Sequence, residues 1–151
     1  MDTSVNELAH ALAGGNCRFE MPVRWGDLDA LNHVNNTVYL RYLEEARVNV
    51  LEAAGIGVVD ETRNIVLARV TCDFLRPIAW PAMLRIEMVL QRVGRSSLEY
   101  VADIHVVGDD EGPYARTLNI IVGTAAATGR SSPWTQVELQ GLARVFVQGA
   151  A

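Results

Sequence analysis

Apolar and polar positions alternate along this chain with two different periods, and the change of period divides it. Tyr39, Tyr42, Leu43, Ala46, Val50 and Ala53 recur at helical spacing, opposite Arg41, Glu44, Glu45, Asn49 and Glu52. Gly55 stands where a helix stop belongs. Leu40, Val48 and Leu51 add apolar surface to the polar side, which predicts a long helix covered on more than one face. From residue 65 onward the period is two. "IVLARVTCDFLRP" sets Val66, Ala68, Val70, Cys72 and Phe74 against Leu67, Arg69, Thr71 and Asp73. "MLRIEMVLQRV" sets Leu84, Ile86, Met88 and Leu90 against Arg85, Glu87 and Gln91. "SLEYVADIHVV" sets Leu98, Tyr100, Ala102, Ile104 and Val106 against Glu99, Asp103 and His105. After the polar turn "GDDEG", the stretch "YARTLNIIVGTAA" reads as a last strand.

Short turns join the strands between residues 82 and 127, so they are expected to form an antiparallel meander with one covered face. Ahead of the long helix, "CRFEMPVRW" reads as a first strand, with Pro22 marking an edge or irregular position, and residues 5–13 as a short helix. The predicted architecture is α+β. One long central helix, about 30 Å at 1.5 Å per residue, is wrapped by a curved antiparallel β-sheet. Residues 1–151 are expected to form one domain, with a core at about 17–130 and flexible or peripheral ends.

Composition narrows the function. The chain is 50% apolar and 21% charged, which is ordinary for a folded protein. A formal charge of -5 gives no basic footprint, so nucleic acid is excluded as an expected partner. Cys17 and Cys72 match no zinc or CxxC spacing, and Cys72 is expected as a reduced core residue. No signal-peptide core appears in residues 1–15, and no apolar run reaches the roughly 20 residues of a membrane span. A cytoplasmic location without membrane contact is expected, where the sequon at Asn35 to Thr37 has no meaning for glycosylation. His10, His33 and His105 are too scattered for a metal site, and no P-loop, GxGxxG or GxSxG pattern occurs. No metal and no cofactor is therefore expected.

Chemistry concentrates in "RWGDLDALNHVNN", residues 24–36, directly before the long helix. Asn35 or Asn36 is the expected N-cap, so the first helical turn presents free N–H groups and the positive end of a dipole. Such a terminus can hold a carbonyl oxygen as negative charge develops on it. Asp29, on the neighbouring loop, could attack that carbonyl or deprotonate a water to do so. Equally, Asp27, Asp29 and the asparagines could serve only to fix a turn and cap the helix.

"RWGDLDALNHVNNTVYLRYLEEAR" resembles the opening motif of hotdog-fold acyl-CoA thioesterases of the 4-hydroxybenzoyl-CoA thioesterase family. That motif runs Asp-x-Asp, Gly-His-Val-Asn-Asn, a spaced tyrosine pair and Glu-Ala-Arg. "CDFLRPIAWPAMLRIEM" is similar to the family's Tyr-x-Arg-Pro segment, and "VGRSSLEY" to its Gly-x-Ser-Ser turn. The resemblance covers residues 18 to about 130 in order. It implies hydrolysis of an acyl-CoA to a free acid and CoA. Asp29 would be the catalytic carboxylate and a backbone N–H at Asn36 or its neighbour the oxyanion donor, with His33 and Asn35 in support. Gly94, Arg95, Ser96 and Arg130 would lie near the nucleotide end of CoA. The resemblance also implies a homodimer or homotetramer that joins sheets edge to edge, with sites at subunit interfaces.

Three positions depart from the pattern: Asn32 replaces a glycine, Phe74 a frequent tyrosine, and Trp80-Pro81 a small polar turn. His33 could polarise the carbonyl, orient Asp29, or simply be held by the loop. Glu44 and Glu45 could act as bases, but ion pairing with Arg41 and Arg47 on an exposed helix surface is the expectation. Asp73 and Asp103 read as solvated. A hydratase of this fold would be expected to carry a His-Phe-Pro-Gly type loop, which is absent. Thioesters of acyl carrier protein and non-catalytic acyl-CoA binding remain as alternatives, the former disfavoured by the charge of -5.

Overall fold

The computed structural model describes residues 3–58 and 60–149. In chain order it contains α1 (Thr3–Leu12), β1 (Asn16–Pro22), a 3-10 turn (Trp25–Asp27), α2 (Asn36–Ala53), β2 (Arg63–Phe74), β3 (Met83–Val93), β4 (Ser97–Val106), β5 (Ala115–Ala125) and α3 (Gln136–Val145). The strands form one five-stranded sheet in the order β1-β3-β4-β5-β2, antiparallel at every pairing. The predicted strand, long helix and four-strand sequence is present.

Helix α2 begins and ends for local reasons. Asn35 has extended backbone angles, and its side-chain oxygen accepts from the Thr37 N–H at 2.9 Å. At the other end Gly55 adopts φ +78, and two N–H groups close back on the last turn: Gly55 to the Glu52 carbonyl and Ile56 to the Leu51 carbonyl, each at 2.9 Å. This is a Schellman stop, which favours glycine because a Cβ is strained at positive φ.

The buried face of α2 comprises Tyr39, Tyr42, Leu43, Ala46, Arg47, Val50 and Leu51. Two expectations change here. Ala53 is exposed, while Leu51 and Ala54 are buried. Arg47 is 9% exposed and forms no ion pair among the described residues, whereas Arg41 does pair with Glu44, at 2.6 Å. The cause is coverage from both sides: the sheet takes one flank and α3 packs on another, so the buried sector is wider than a single stripe.

Alternation holds in β3 and β4, where Leu84, Ile86, Met88, Leu90, Leu98, Tyr100, Ala102 and Ile104 are buried. It fails in β2. A register shift between Leu67 and Arg69 breaks the phase, and the strand lies at the sheet edge. Val66, Leu67 and Phe74 are exposed, and Cys72, expected in the core, is only half-buried. The inward row of β5 carries polar residues. Thr117 donates to the Ala102 carbonyl at 2.8 Å, and Asn119 donates to the Thr117 hydroxyl at 2.8 Å.

The C-terminal segment, expected to be peripheral, joins the core. Trp134, Leu139, Leu142 and Phe146 are buried, and Thr135 with Glu138 forms a reciprocal capping box on α3. Gly141 faces the end of α2 so closely that a Cβ there would sit 1.9 Å from the Ala54 carbonyl oxygen. Gly141→Ala is expected to destabilise the fold by about 1–3 kcal/mol or more through overpacking, read as a lowered urea midpoint. Intrinsic helix propensity pushes the other way, by about 1 kcal/mol in favour of alanine. A raised midpoint would therefore show that this contact is not tight.

Candidate active site

The loop before α2 is built by its two aspartates, which do different work. Asp27 accepts the Arg24 N–H through Oδ2 at 2.9 Å and the Tyr42 hydroxyl at 2.6 Å, tying the 3-10 turn to the buried face of α2. Its carbonyl takes the Asn35 N–H at 2.9 Å, which sets the start of the helix. Burial, then the bond to Asp27, pushes the Tyr42 hydroxyl far above the ordinary phenol range, so it stays a donor. Asp27 is thus committed to structure. Asp29 is not fully committed. Its Oδ1 accepts the Leu31 N–H at 2.9 Å, and its Oδ2 has no hydrogen-bond partner among the described residues.

The backbone around Asp29 closes a tight turn. The Asp29 N–H donates to the His33 carbonyl at 2.9 Å, the Asn32 N–H to the Asp29 carbonyl at 3.0 Å, and Leu28 bridges Val34. Asn32 sits at φ 57, the left-handed region in which asparagine is tolerated best after glycine. Asn32, the Gly-to-Asn departure noted in the sequence, thus takes a backbone conformation that a glycine also adopts readily.

At the helix start, the Thr37 N–H is taken by the Asn35 side chain and the Val38 N–H by the Asn35 carbonyl. The Asn36 N–H has no acceptor among the described residues. Asp29, His33, Asn35 and Asn36 line one cleft of about 410 Å³, together with Leu31, Val34, Tyr39 and the segment Phe74 to Pro77. Four of the predicted site residues are thus brought together. Glu44, Glu45, Trp80 and Pro81 do not line this cleft.

Sequence reasoning did not place Tyr39 or Arg76 in the site. Tyr39 is 2% exposed, its hydroxyl is raised by burial, and its ring meets that of Phe74 edge-on at 5.0 Å. Arg76 is held by the β4–β5 loop: it donates to Asp109 at 2.9 Å and to the Gly112 carbonyl at 2.6 Å, and lies 3.9 Å over the Tyr114 ring. The signal for Arg76 was its place in an Arg-Pro pair at a strand end; its loop partners are remote in sequence.

Asp109 also accepts the Tyr114 hydroxyl. That bond, then the Glu111 N–H and Arg76, holds its carboxyl down at about 2. A carboxyl lowered on folding contributes stability that is present above its unfolded value near 3.8 and is lost as pH falls through the folded one. Asp109→Asn is therefore expected to reduce the loss of stability between about pH 4 and pH 2, with little change in the slope above that window. Urea midpoints of both proteins across this range check it.

Gly94, Arg95, Ser96 and Arg130 lie elsewhere. They sit in the β3–β4 turn and after β5, linked by bonds from the Gly123 N–H to the Ser96 carbonyl at 2.8 Å and from the Ala125 N–H to the Arg130 carbonyl at 2.8 Å. In register this is the Arg63–Ala125 end of the β2–β5 pair, whereas the cleft is at the Phe74–Ala115 end. The two ends of a 12-residue strand are up to roughly 35 Å apart, so these residues do not reach the Asp29 cleft of the same chain.

One long helix laid on a curved five-stranded antiparallel sheet, with a polar loop feeding the helix N-terminus, is the hotdog architecture. The chain belongs to the thioesterase-like superfamily, which residues 23–142 match. The PA2801 protein of Pseudomonas aeruginosa, described as a thioesterase candidate, is 35% identical, with a TM-score of 0.78 over 84% of this chain and 98% of that one. The uncharacterized protein YsmA of Bacillus subtilis (strain 168) is 28% identical over 125 residues, 82% of each chain. Slr0204, a 1,4-dihydroxy-2-naphthoyl-CoA thioesterase from Synechocystis, shares the fold at a TM-score of 0.76 and 17% identity, over 85% of this chain and 96% of that one. Membership supports thioester hydrolysis as the general chemistry of the protein. No helix among the described residues is long and apolar enough to cross a membrane, and none of their His, Cys, Asp and Glu side chains form a group that could hold a metal.

Proposed function

We propose that the protein hydrolyses an acyl-CoA thioester to a free carboxylic acid and CoA, within the 4-hydroxybenzoyl-CoA thioesterase family. The carrying observation is the pairing, in one cleft, of an Asp29 carboxylate oxygen and a helix-terminal Asn36 N–H, neither of which has a hydrogen-bond partner among the described residues. The thioester carbonyl accepts from the Asn36 N–H at the positive end of α2, which stabilises the oxyanion as it forms. Asp29 then acts in one of two ways. As general base it takes a proton from water, the hydroxide adds to the carbonyl carbon, and the tetrahedral species expels CoA thiolate, which is protonated. As nucleophile its Oδ2 forms an acyl anhydride and releases CoA thiolate, and water cleaves the anhydride to regenerate the carboxylate. Asn35 keeps the Thr37 N–H occupied, so Asn36 is the free donor, and His33 stands beside it to orient the carbonyl or Asp29.

The active unit is a homodimer, alone or doubled into a homotetramer. β2 is an edge strand with Val66, Leu67 and Phe74 exposed, a surface that a monomer in water does not favour. Two-fold antiparallel pairing of β2 with its copy sets the Arg63 end of one strand beside the Phe74 end of the other. Gly94, Arg95, Ser96 and Arg130 of one protomer then approach the cleft of its partner, where they receive the nucleotide end of CoA.

The test is steady-state release of CoA thiol across a panel of acyl-CoAs differing in chain length and aromaticity, alongside light scattering for mass. Turnover above the spontaneous rate by a particle of two or four chains supports the reading. Tight acyl-CoA binding without turnover would reassign the protein as a binding module, and turnover confined to acyl carrier protein conjugates would reassign the substrate.

A further inference from the structure

The loop that carries Asp29 hangs from a segment remote in sequence. The Val34 N–H donates to the Ile78 carbonyl at 2.8 Å, and the Tyr39 hydroxyl is a hydrogen-bonding neighbour of the Ile78 backbone. Val34 stands between His33, whose carbonyl takes the Asp29 N–H, and Asn35, the N-cap of α2. Ile78 therefore holds the turn of the carboxylate and the first turn of the helix that presents the Asn36 N–H. Its side chain is fully buried, which fixes its depth.

Two residues earlier the same segment is gripped by the β4–β5 loop. Arg76 Nη1 donates to Asp109 Oδ2 at 2.9 Å and lies 3.6 Å from Glu111 Oε2, and Nη2 donates to the Gly112 carbonyl at 2.6 Å. The guanidinium lies 3.9 Å over the Tyr114 ring, and the Tyr114 hydroxyl donates to the same Asp109 oxygen. The Tyr114 carbonyl accepts the N–H groups of Leu75 and Arg76 at 2.9 and 3.1 Å, while its own N–H is tied to the Ile104 carbonyl at 2.7 Å. Pro77 joins this clamp to Ile78 with a fixed φ, and it disfavours helical backbone at Arg76. A displacement at Arg76 thus passes to Ile78 with little slack to absorb it.

We propose that Arg76 is a positioning residue for the hydrolysis. Clamped by Asp109, Gly112 and Tyr114, it sets through Pro77 and the Ile78 carbonyl where Asp29 and the Asn36 N–H stand relative to each other. Its kinetic consequence rests on the thioesterase reading of the cleft; its hold on the Val34 loop does not.

The experiment combines steady-state release of CoA thiol with amide hydrogen exchange by NMR, on the full chain and its Arg76→Met, Arg76→Lys and Tyr114→Phe variants. In Arg76→Met, kcat is expected to fall by about tenfold to a hundredfold with KM little changed, as for catalytic groups misplaced by about 1 Å. Arg76→Lys keeps a bond to Asp109 and recovers part of the loss. Tyr114→Phe keeps the ring under the guanidinium and loses only the hydroxyl bond, so it tests the clamp even where Arg76→Met does not fold, with a smaller fall in kcat. Exchange of the Val34 N–H quickens in the same order, while amides of β3 keep their wild-type rates. A raised KM with unchanged kcat would overturn the proposal and make Arg76 a substrate contact only. Wild-type constants in folded Arg76→Met, or unchanged Val34 exchange, would overturn it too. If the wild-type protein turns over no acyl-CoA, the thioesterase reading falls, and Val34 exchange alone decides whether the clamp holds the loop.

Discussion

Asp29→Asn lowers kcat/KM for acyl-CoA hydrolysis by at least about a hundredfold, within the range that a positioned general base contributes. The substitution is chosen because it spares the local structure. An asparagine Oδ1 still accepts the Leu31 N–H, so the turn through Asn32 and His33 and the cap on α2 persist. What disappears is the charge and basicity at the position of Oδ2. Because that oxygen acts on the transition state, the loss falls on kcat, with KM little changed. Melting temperature and far-UV circular dichroism establish that the variant is folded. Activity that survives in a folded variant would move the chemistry to His33, which shares the cleft, and away from Glu44 and Glu45, which do not.

Arg63→Ala destabilises the protein by about 3–5 kcal/mol, the cost of removing one member of a buried ion pair. Arg63 is 8% exposed and grips the C-terminal segment at several points. Its Nε donates to Glu138 Oε1 at 2.6 Å and its Nη2 to Oε2 at 2.9 Å, a two-pronged bond that fixes geometry as well as charge. Nη2 also donates to the Pro133 carbonyl at 2.7 Å, and the guanidinium lies 5.1 Å from the centroid of the Trp134 ring. Gly123 lies under this group, where a Cβ would come within 3.1 Å of the guanidinium carbon. Alanine leaves the Glu138 carboxylate in a low-dielectric setting without its partner. Urea unfolding measures the loss, and the double variant Arg63→Met, Glu138→Leu separates charge from packing. If the pair is costly to bury, the double variant recovers most of the stability. A loss in Arg63→Ala below about 1 kcal/mol would place the pair with exposed salt bridges, which contribute little.

The elements that sequence periodicity describes well are those governed by near neighbours. α2 is set by a cap at Asn35, a helical apolar face and a glycine stop, all within one stretch of chain. β3 and β4 alternate cleanly because both lie inside the sheet and turn one face to α2. The grouping of Asp29, His33, Asn35 and Asn36 belongs to the same category. These residues are close along the chain, and a turn followed by a capped helix start leaves little choice about where they gather.

Other features depend on partners that no local pattern encodes. β2 reads as an inward-facing strand, but its edge position and the irregularity at Leu67 to Arg69 are set by which strand comes to lie beside which. The segment after residue 130 has no strong period, and its burial follows from the fit of Gly141 against Ala54 and from the grip of Arg63, 75 positions away from Glu138 in sequence. Arg47 read as a surface cation because charged residues flank it along the helix; two covering layers made it an interior one. Arg76 entered the cleft wall only through the β4–β5 loop that holds it. Short-range hydrogen bonding and periodicity are properties of a segment and can be read from it. Which faces are finally covered depends on free energies of burial summed over remote segments, and these exist only once the chain has closed on itself.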